Sequence, residues 1–385
     1  MRVLVVNAGS SSIKLSLLEE RDELVAAQEI EAPAGRLDAD AVEGFIAKNA
    51  PIDAVGHRIV HGGAEFTAPV RVDPGVVRRL ELLSDLAPLH QPKSLSGLEV
   101  VSKILVDVPA VACFDTAFHA TVPAAAATYA LPAQWRRRWD LRRFGFHGLS
   151  HSYASRRAGQ MMGAKAAADG TPLRPDGTPL RPDGTPLRVV TCHLGSGASL
   201  AAVRGGASVD TTMGFTPLEG LVMGTRSGSV DPGLLLWLEE HVGMPPSELA
   251  STLEHRSGLL GLSGTSDMRA VLAAEEAGDE DAALAMAVYL HRLRACIAAM
   301  AAAMDGIDAM VFTGGVGERS APVRRRAAEG LGFLGVRLDL GANEAARPDQ
   351  GVGADGAPVR TFVIAAREDL EIARGVRQVL GRCSD

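Results

Sequence analysis

The feature that most restricts the fold is an apolar strand closed by a small-residue turn, which occurs three times. Val3–Val6 runs into Asn7-Ala-Gly-Ser-Ser-Ser-Ile-Lys14 and a second strand, Ile13–Leu18. Val189–His193 runs into Leu194-Gly-Ser-Gly197 and another strand, Ser199–Val203, while Asp308–Thr313 ends on Gly314-Gly-Val-Gly-Glu318. Short apolar runs bounded by Gly, Pro or Asp read as buried strands, and glycine lets backbone N–H groups come close to a ligand. Two strand–turn–strand copies predict a duplicated nucleotide-binding unit. Neither Gly195/Gly197 nor Gly315/Gly317 extends to GxGxxG, and no GxxxxGK[ST] occurs, so neither a dinucleotide fingerprint nor a Walker A loop is written here.

Between these strands, and the further ones at Ala54–Val60 and Ala110–Phe114, lie helical patterns. Val76, Leu80 and Leu83 share a face after Asp73, and Pro232–Glu240 opens with proline at a first helical position. Glu280–Met304 is rich in Ala, Leu and Met, and its charges thin toward the C-terminal half, as in a core or subunit-interface helix. Strands alternating with helices, twice over, predict an α/β chain of two similar layered domains. The length of 385 residues agrees, at roughly 100–200 per domain.

A formal charge of -7 argues against binding along a nucleic-acid backbone, which needs a clustered cationic face. Cys113, Cys192, Cys296 and Cys383 lie far apart with no CxxC pair, which suits a reducing cytosol better than a zinc knuckle or disulfide framework. The apolar run before Asn7 is too short for a signal peptide. Thr116–Trp135 carries no formal charge, but Pro123, Pro132, His119 and Gln134 make it a buried strand end, loop and short helix rather than a membrane span. Gly170–Asp176 is repeated as Gly177–Asp183 and begun again at Gly184–Arg188. Two prolines per seven residues favour a solvated, polyproline-like loop, either an inert insertion or a partner-docking segment.

Candidate chemistry follows the turns. The Asn7–Lys14 turn offers hydroxyls, backbone N–H groups and an ammonium to phosphate, or is simply a polar β-turn. Arg58, in Gly56-His-Arg-Ile-Val-His-Gly-Gly63, is placed to reach a phosphate or carboxylate, with a surface arginine as the alternative. Asp115 ends a buried strand, as a metal-water ligand or base, or as a helix cap. His147 and His151 are four apart without HExxH, which disfavours zinc, and Arg226 lies between glycines in Gly224-Thr-Arg-Ser-Gly228. Ser150 and Ser263 lack the closing glycine of GxSxG, so no nucleophile elbow is present.

Taken together, NAGSSSIK, GHRIVHGG, LAPLHQP, FDTAFH, FGFHGLSHSY, TCHLGSGASL, VDTTMGFTPLEGLVMGTRSG, SGLLGLSG, FTGGVGE and REDLEIAR resemble the acetokinase family over nearly the whole chain apart from the repeat. The resemblance implies two duplicated ribonuclease-H-like α/β domains of the actin, Hsp70 and sugar-kinase type, with the active site in the interdomain cleft. Residues 1–118 plus 370–385 would form an N-terminal domain closed by the C-terminal helix. Residues 119–369 would form the nucleotide-binding and dimerisation domain, with the insertion at 170–188. It further implies reversible transfer of the ATP γ-phosphoryl group to acetate, giving acetyl phosphate and ADP, with Mg²⁺ or alternatively Mn²⁺. The expected setting is a cytoplasmic homodimer engaging neither nucleic acid nor membrane.

Carried over motif by motif, the metal ligands fall on Asn7 and Glu368, with Ser10, Ser12 and Lys14 near the nucleotide phosphates. Nucleotide contacts fall on His193, Leu194, Gly195, Ser196 and Gly197, on Asp267, Met268 and Arg269, and on Gly315, Val316, Gly317, Glu318 and Arg319. Arg58 matches the substrate-binding arginine, Asp115 the active-site aspartate, and His147 and Arg226 the transition-state stabilisers. Val60, Leu89, Phe146 and Pro217 match the pocket for the methyl group. Family members usually carry Asn, Glu, Asn and Asn where this chain has Ser196, Ala64, Arg319 and Arg367. Acetate is already ionised at neutral pH and needs no general base, so Asp115 is read as orienting a metal-bound water or Arg58. The alternatives are a propionate or butyrate kinase, because one methylene changes binding by only about 1–3 kcal/mol, and a non-catalytic ATP-gated binding module.

Overall fold

The computed structural model describes residues 1–9, 12–31, 38–84, 91–163 and 184–381. The chain forms two units, one of Met1–Ala120, Phe146–Tyr153 and Arg367–Asp385, the other of Thr121–Gly145 and Ala154–Ala366. The return of Phe146–Tyr153 to the first unit lies outside the expected bounds of 1–118 plus 370–385. It has a local cause, since Gly148 N–H donates to Asp115 O at 2.9 Å and His119 Nε2 bonds Phe146 O at 3.0 Å.

The first unit contains β1 (Val3–Ala8), β2 (Ser12–Leu18), β3 (Leu24–Glu31), β4 (Ala54–Ile59), β5 (Val70–Arg71) and β6 (Ala110–Phe114) in the order β3-β2-β1-β4-β6-β5. The second contains β7 (Arg188–Leu194), β8 (Ala198–Arg204), β9 (Ala207–Thr211), β10 (Ala309–Thr313), β11 (Gln350–Gly351) and β12 (Arg360–Val363) in the order β11-β12-β10-β7-β8-β9. The two orders superimpose. Each unit has a three-strand antiparallel meander, two further strands added in parallel, and a two-residue antiparallel edge. Central β1 and β10 are covered on both faces, which is why each reads as an unbroken apolar run.

In the first unit Leu4, Val6, Ile13 and Leu15 pack on Phe45 and Ile46 of the Ala39–Asn49 helix. On the other face Val3, Val5 and Cys113 pack on Ile372, Ala373 and Val376 of the Glu368–Gly381 helix. Gly56 makes that crossing possible, since a Cβ there would lie 2.5 Å from the Ile372 side chain. The Thr116–Trp135 segment forms a 3₁₀ turn at Ala117–Thr121 and the short helices Ala124–Ala127 and Ala133–Trp139. Among the described residues one helix, Glu280–Ala302, is long and apolar enough to cross a membrane. Tyr289, Leu293, Ile297 and Met300 bury its inner face as a core helix does. The repeat at Gly170–Asp183 lies outside the described residues, and its last partial copy leads into β7.

Candidate active site

Parallel pairing of β1, β4 and β6 brings their C-terminal ends side by side, with Val6 opposite His57 and Ile59 opposite Phe114. Ligand groups in open α/β sheets collect at this edge. Asn7, Arg58 and Asp115 therefore become neighbours, and the Glu368–Gly381 helix adds Glu368 at its start. Arg58 donates to both Asp115 oxygens, from Nε at 3.1 Å and from Nη2 at 2.6 Å, and from Nη1 to Asn7 Oδ1 at 3.0 Å. Asn7 Nδ2 donates to Glu368 Oε2 at 2.8 Å, and that oxygen lies 3.5 Å from Arg58 Nη1. Burial works against the Arg58 charge, but Asp115 and Glu368 outweigh it and push its basicity upward. Burial pushes the Asp115 carboxyl up, opposed by Arg58 and by the His147 backbone N–H. Asp115 is fully buried, so the arrangement is a fixed cation on a carboxylate post rather than a solvated base.

His147 sits at φ 55°, a left-handed conformation costing about 1–3 kcal/mol in a non-glycine residue. The adjoining Gly148 explains how it is held, because any Cβ there would collide with Asp115 O and the turn would open. Phe146 is buried with its ring edge-on to His61 at 5.4 Å, and Val60 is buried nearby in sequence. Lys14 stands opposite Asn7 in the β1–β2 register, exposed, with Nζ 4.0 Å from Glu29. Ser12 Oγ also donates to Glu29. Ser10 and Leu89 lie outside the described residues. The ring centroids of His147 and His151 are 6.5 Å apart.

In the second unit a cavity of about 600 Å³ gathers Gly195, Ser196, Asp267, Met268, Arg269, Gly315, Val316 and Arg319. Its apolar wall is Leu259, Leu272, Tyr289 and Pro322, which sequence reasoning did not single out. The spacing of Leu272 and Tyr289 on their helices marks them only as core. The turns are built by backbone: Gly195 N–H donates to Gly197 O at 3.1 Å and Gly224 N–H to Ser196 O at 3.1 Å. Gly314, at φ 77°, lets β10 turn against Leu194. Glu318 does not line the cavity. Its Oε1 accepts from Gly314 N at 3.1 Å and Ala366 N at 2.9 Å, bracing the turn from behind. Leu194 and Gly317 are buried beneath the same turn. Asp267 caps the Met268–Glu276 helix and grips Arg269 at 2.6 Å, and this bond holds its carboxyl down at about 2.

Arg226 is half-buried, with Nη1 3.3 Å from Pro217 O. Its backbone is pinned where Gly258, at φ 61°, passes against Met223 O and Arg226 O. Burial lowers its basicity, opposed by Glu254, and it keeps its charge at neutral pH.

A hard divalent cation fits the donors present. Asn7 Oδ1 and the Glu368 carboxylate are hard oxygen donors, of the kind that could hold Mg²⁺ alongside several waters.

Two units of one topology, one holding a buried arginine–carboxylate cluster and the other a glycine-turned cavity, define a phosphotransferase of the actin and sugar-kinase fold type. The model of the acetokinase family matches residues 28–374, and the chain belongs to that family. It is 42% identical to the acetate kinase of Nostoc punctiforme, over 99% of this chain and 100% of that one. The crystal structure of Porphyromonas gingivalis acetate kinase is similar at TM-score 0.84 and 36% identity, covering 98% of this chain and 99% of that one. A propionate kinase structure from Francisella tularensis reaches TM-score 0.86 at 31% identity, covering 98% and 99%.

Proposed function

We propose that this chain transfers the γ-phosphoryl group of ATP to the carboxylate of acetate, reversibly, giving acetyl phosphate and ADP. The observation that carries this reading is Arg58, fixed by Asp115 and Asn7 at the C-terminal edge of the first sheet. A half-buried, oriented guanidinium is suited to a small carboxylate, and the ionised nucleophile loses no proton on attack. The barrier is repulsion between an anion and a polyanion. Arg58, Arg226 and His147 offset it and stabilise charge on the phosphoryl group in flight, while the Gly195–Gly197 and Gly315–Arg319 turns hold the nucleotide. Asn7 and Glu368 would hold Mg²⁺, which when bound neutralises phosphate charge. Val60, Phe146, Leu89 and Pro217 are assigned to the methyl group.

Trapping the acyl phosphate with hydroxylamine, in acetate, propionate and butyrate and with or without EDTA, tests this. Acetate should give the highest kcat/KM, and EDTA should abolish product. Preference for propionate would favour the second reading, motivated by the Francisella tularensis neighbour. Activity persisting without divalent metal would overturn the Asn7/Glu368 assignment. A cytoplasmic homodimer completes the proposal. Exposed Leu234, Leu236, Trp237 and Val242, close together in one helical segment, give the second unit apolar side chains for a second copy to cover.

A further inference from the structure

The loop from Thr212 to Ser229 carries Pro217 and Arg226, and three side chains the proposed mechanism does not use close it at its base. Glu219 Oε2 accepts from Tyr129 Oη at 2.6 Å, and Oε1 accepts from Arg143 Nη2 at 2.8 Å. Arg143 Nη1 also donates to the carbonyls of Thr212 at 3.2 Å and Met213 at 3.0 Å. Tyr129 Oη accepts from Phe215 N at 2.9 Å. The first residues of the loop are thus tied to its middle through one carboxylate. Gly214 is enclosed by this knot, since a Cβ there would overlap both the Glu219 carboxylate and Tyr129 Oη. A second tie, Gly220 N to Ser229 Oγ and Ser229 N to Gly220 O, both 3.1 Å, closes the other end. Between the ties lies the Pro217 carbonyl that accepts from Arg226 Nη1. Burial, reinforced by Glu219, pushes the Tyr129 phenol upward, so it remains a donor at neutral pH.

We infer that Glu219, gripped by Tyr129 and Arg143, is a positioning residue: it sets the bend that places the Pro217 carbonyl, and through it the Arg226 guanidinium. The inference rests on the proposed role of Arg226. A charge-assisted network of this kind fixes its members more rigidly than isolated contacts do, and a small misplacement of a transition-state group reduces rate far more than substrate binding.

The test compares purified full-length wild type, Glu219→Gln, Arg226→Ala and the double variant, using kcat and the KM for ATP with acetate and Mg²⁺. Glutamine keeps the shape but loses the charge and one acceptor. Glu219→Gln should lower kcat by about 10- to 100-fold with the ATP KM within about threefold, and in the Arg226→Ala background it should cost less than about twofold more. Tyr129→Phe should show the same non-additivity, and it decides the matter if thermal unfolding shows Glu219→Gln to be misfolded. An active wild type whose Glu219→Gln kcat is unchanged, or a penalty fully retained without Arg226, would overturn the inference. A wild type that does not phosphorylate acetate would instead overturn the proposed function on which it stands.

Discussion

Arg226 is the residue on which the proposed chemistry depends most. If it stabilises the phosphoryl group in flight, Arg226→Ala should lower kcat by about 10²- to 10⁴-fold with a smaller change in the ATP KM. Arg226→Lys keeps the cation but loses the planar fork, so it should recover only a minor part of the rate. Near-normal kcat in the lysine variant would make Arg226 a ground-state binding residue instead. Buried His57 and His119 lead to a separate prediction about stability. Desolvation lowers both to about 4 from 6.5. Between those values the unfolded chain binds protons that the folded chain does not, so stability is full above about pH 6.5 and is lost as pH falls toward 4, by up to roughly 3 kcal/mol per histidine. Both His57 ring nitrogens are buried, with no hydrogen-bond partner among the described residues. Replacing it with leucine should therefore reduce the pH dependence of the unfolding free energy between pH 6.5 and 4, measured by denaturant titration. An unchanged slope would mean that His57 is protonated in the fold.

Among elements, the turns matter more than the strands that feed them. Gly148→Ala should cost most of the activity while leaving intact the ATP binding proposed for the second unit, because the added methyl collides with Asp115 O and releases the Phe146-His147 turn. Isothermal titration with ADP beside the acyl-phosphate assay separates the two, and loss of both would show that the unit has unfolded. The strands predicted from apolar runs are the central ones. β3 is not predicted because it is a sheet edge, with Leu24 and Val25 exposed and Gln28, Glu29 and Glu31 making its second half polar. β12 is not predicted because only Phe362 and Val363 of its four residues are apolar, although Thr361 is buried with them. In both cases pairing with a neighbour, rather than local composition, makes the strand.

For the whole molecule, the matching strand orders of the two units show a single architecture used twice. The association proposed for the second unit is tested by Leu236→Asp with Trp237→Glu, two exposed positions. Sedimentation velocity should shift from dimer to monomer at micromolar concentration, and an unchanged dimer would place the interface elsewhere. Deleting Gly170–Asp183, two whole repeats, should leave kcat within a few-fold, since shortening a chain connection changes its closure entropy only slowly with length. A large loss of activity in the deletion would assign the repeat a role.

The roles proposed for Arg58, Asp115, His147 and Arg226 rest on motif strings; the three strand-and-turn units and the division into two α/β units could be read in the chain, because apolar runs and glycine turns are local. Which oxygen each arginine would meet could not. Asn7, Arg58, Asp115 and Glu368 are separated by up to 361 positions and meet only through parallel strand register and the start of a distant helix. Glu318 sits in a glycine turn whose sequence says nothing of Ala366, and only the fold brings the Ala366 N–H to its carboxylate. Glu219 carried no signal, since a lone glutamate in a loop reads as solvated until Tyr129 and Arg143 arrive from 90 and 76 residues away. Local sequence specifies which groups are present; long-range packing specifies where their hydrogen-bonding atoms point.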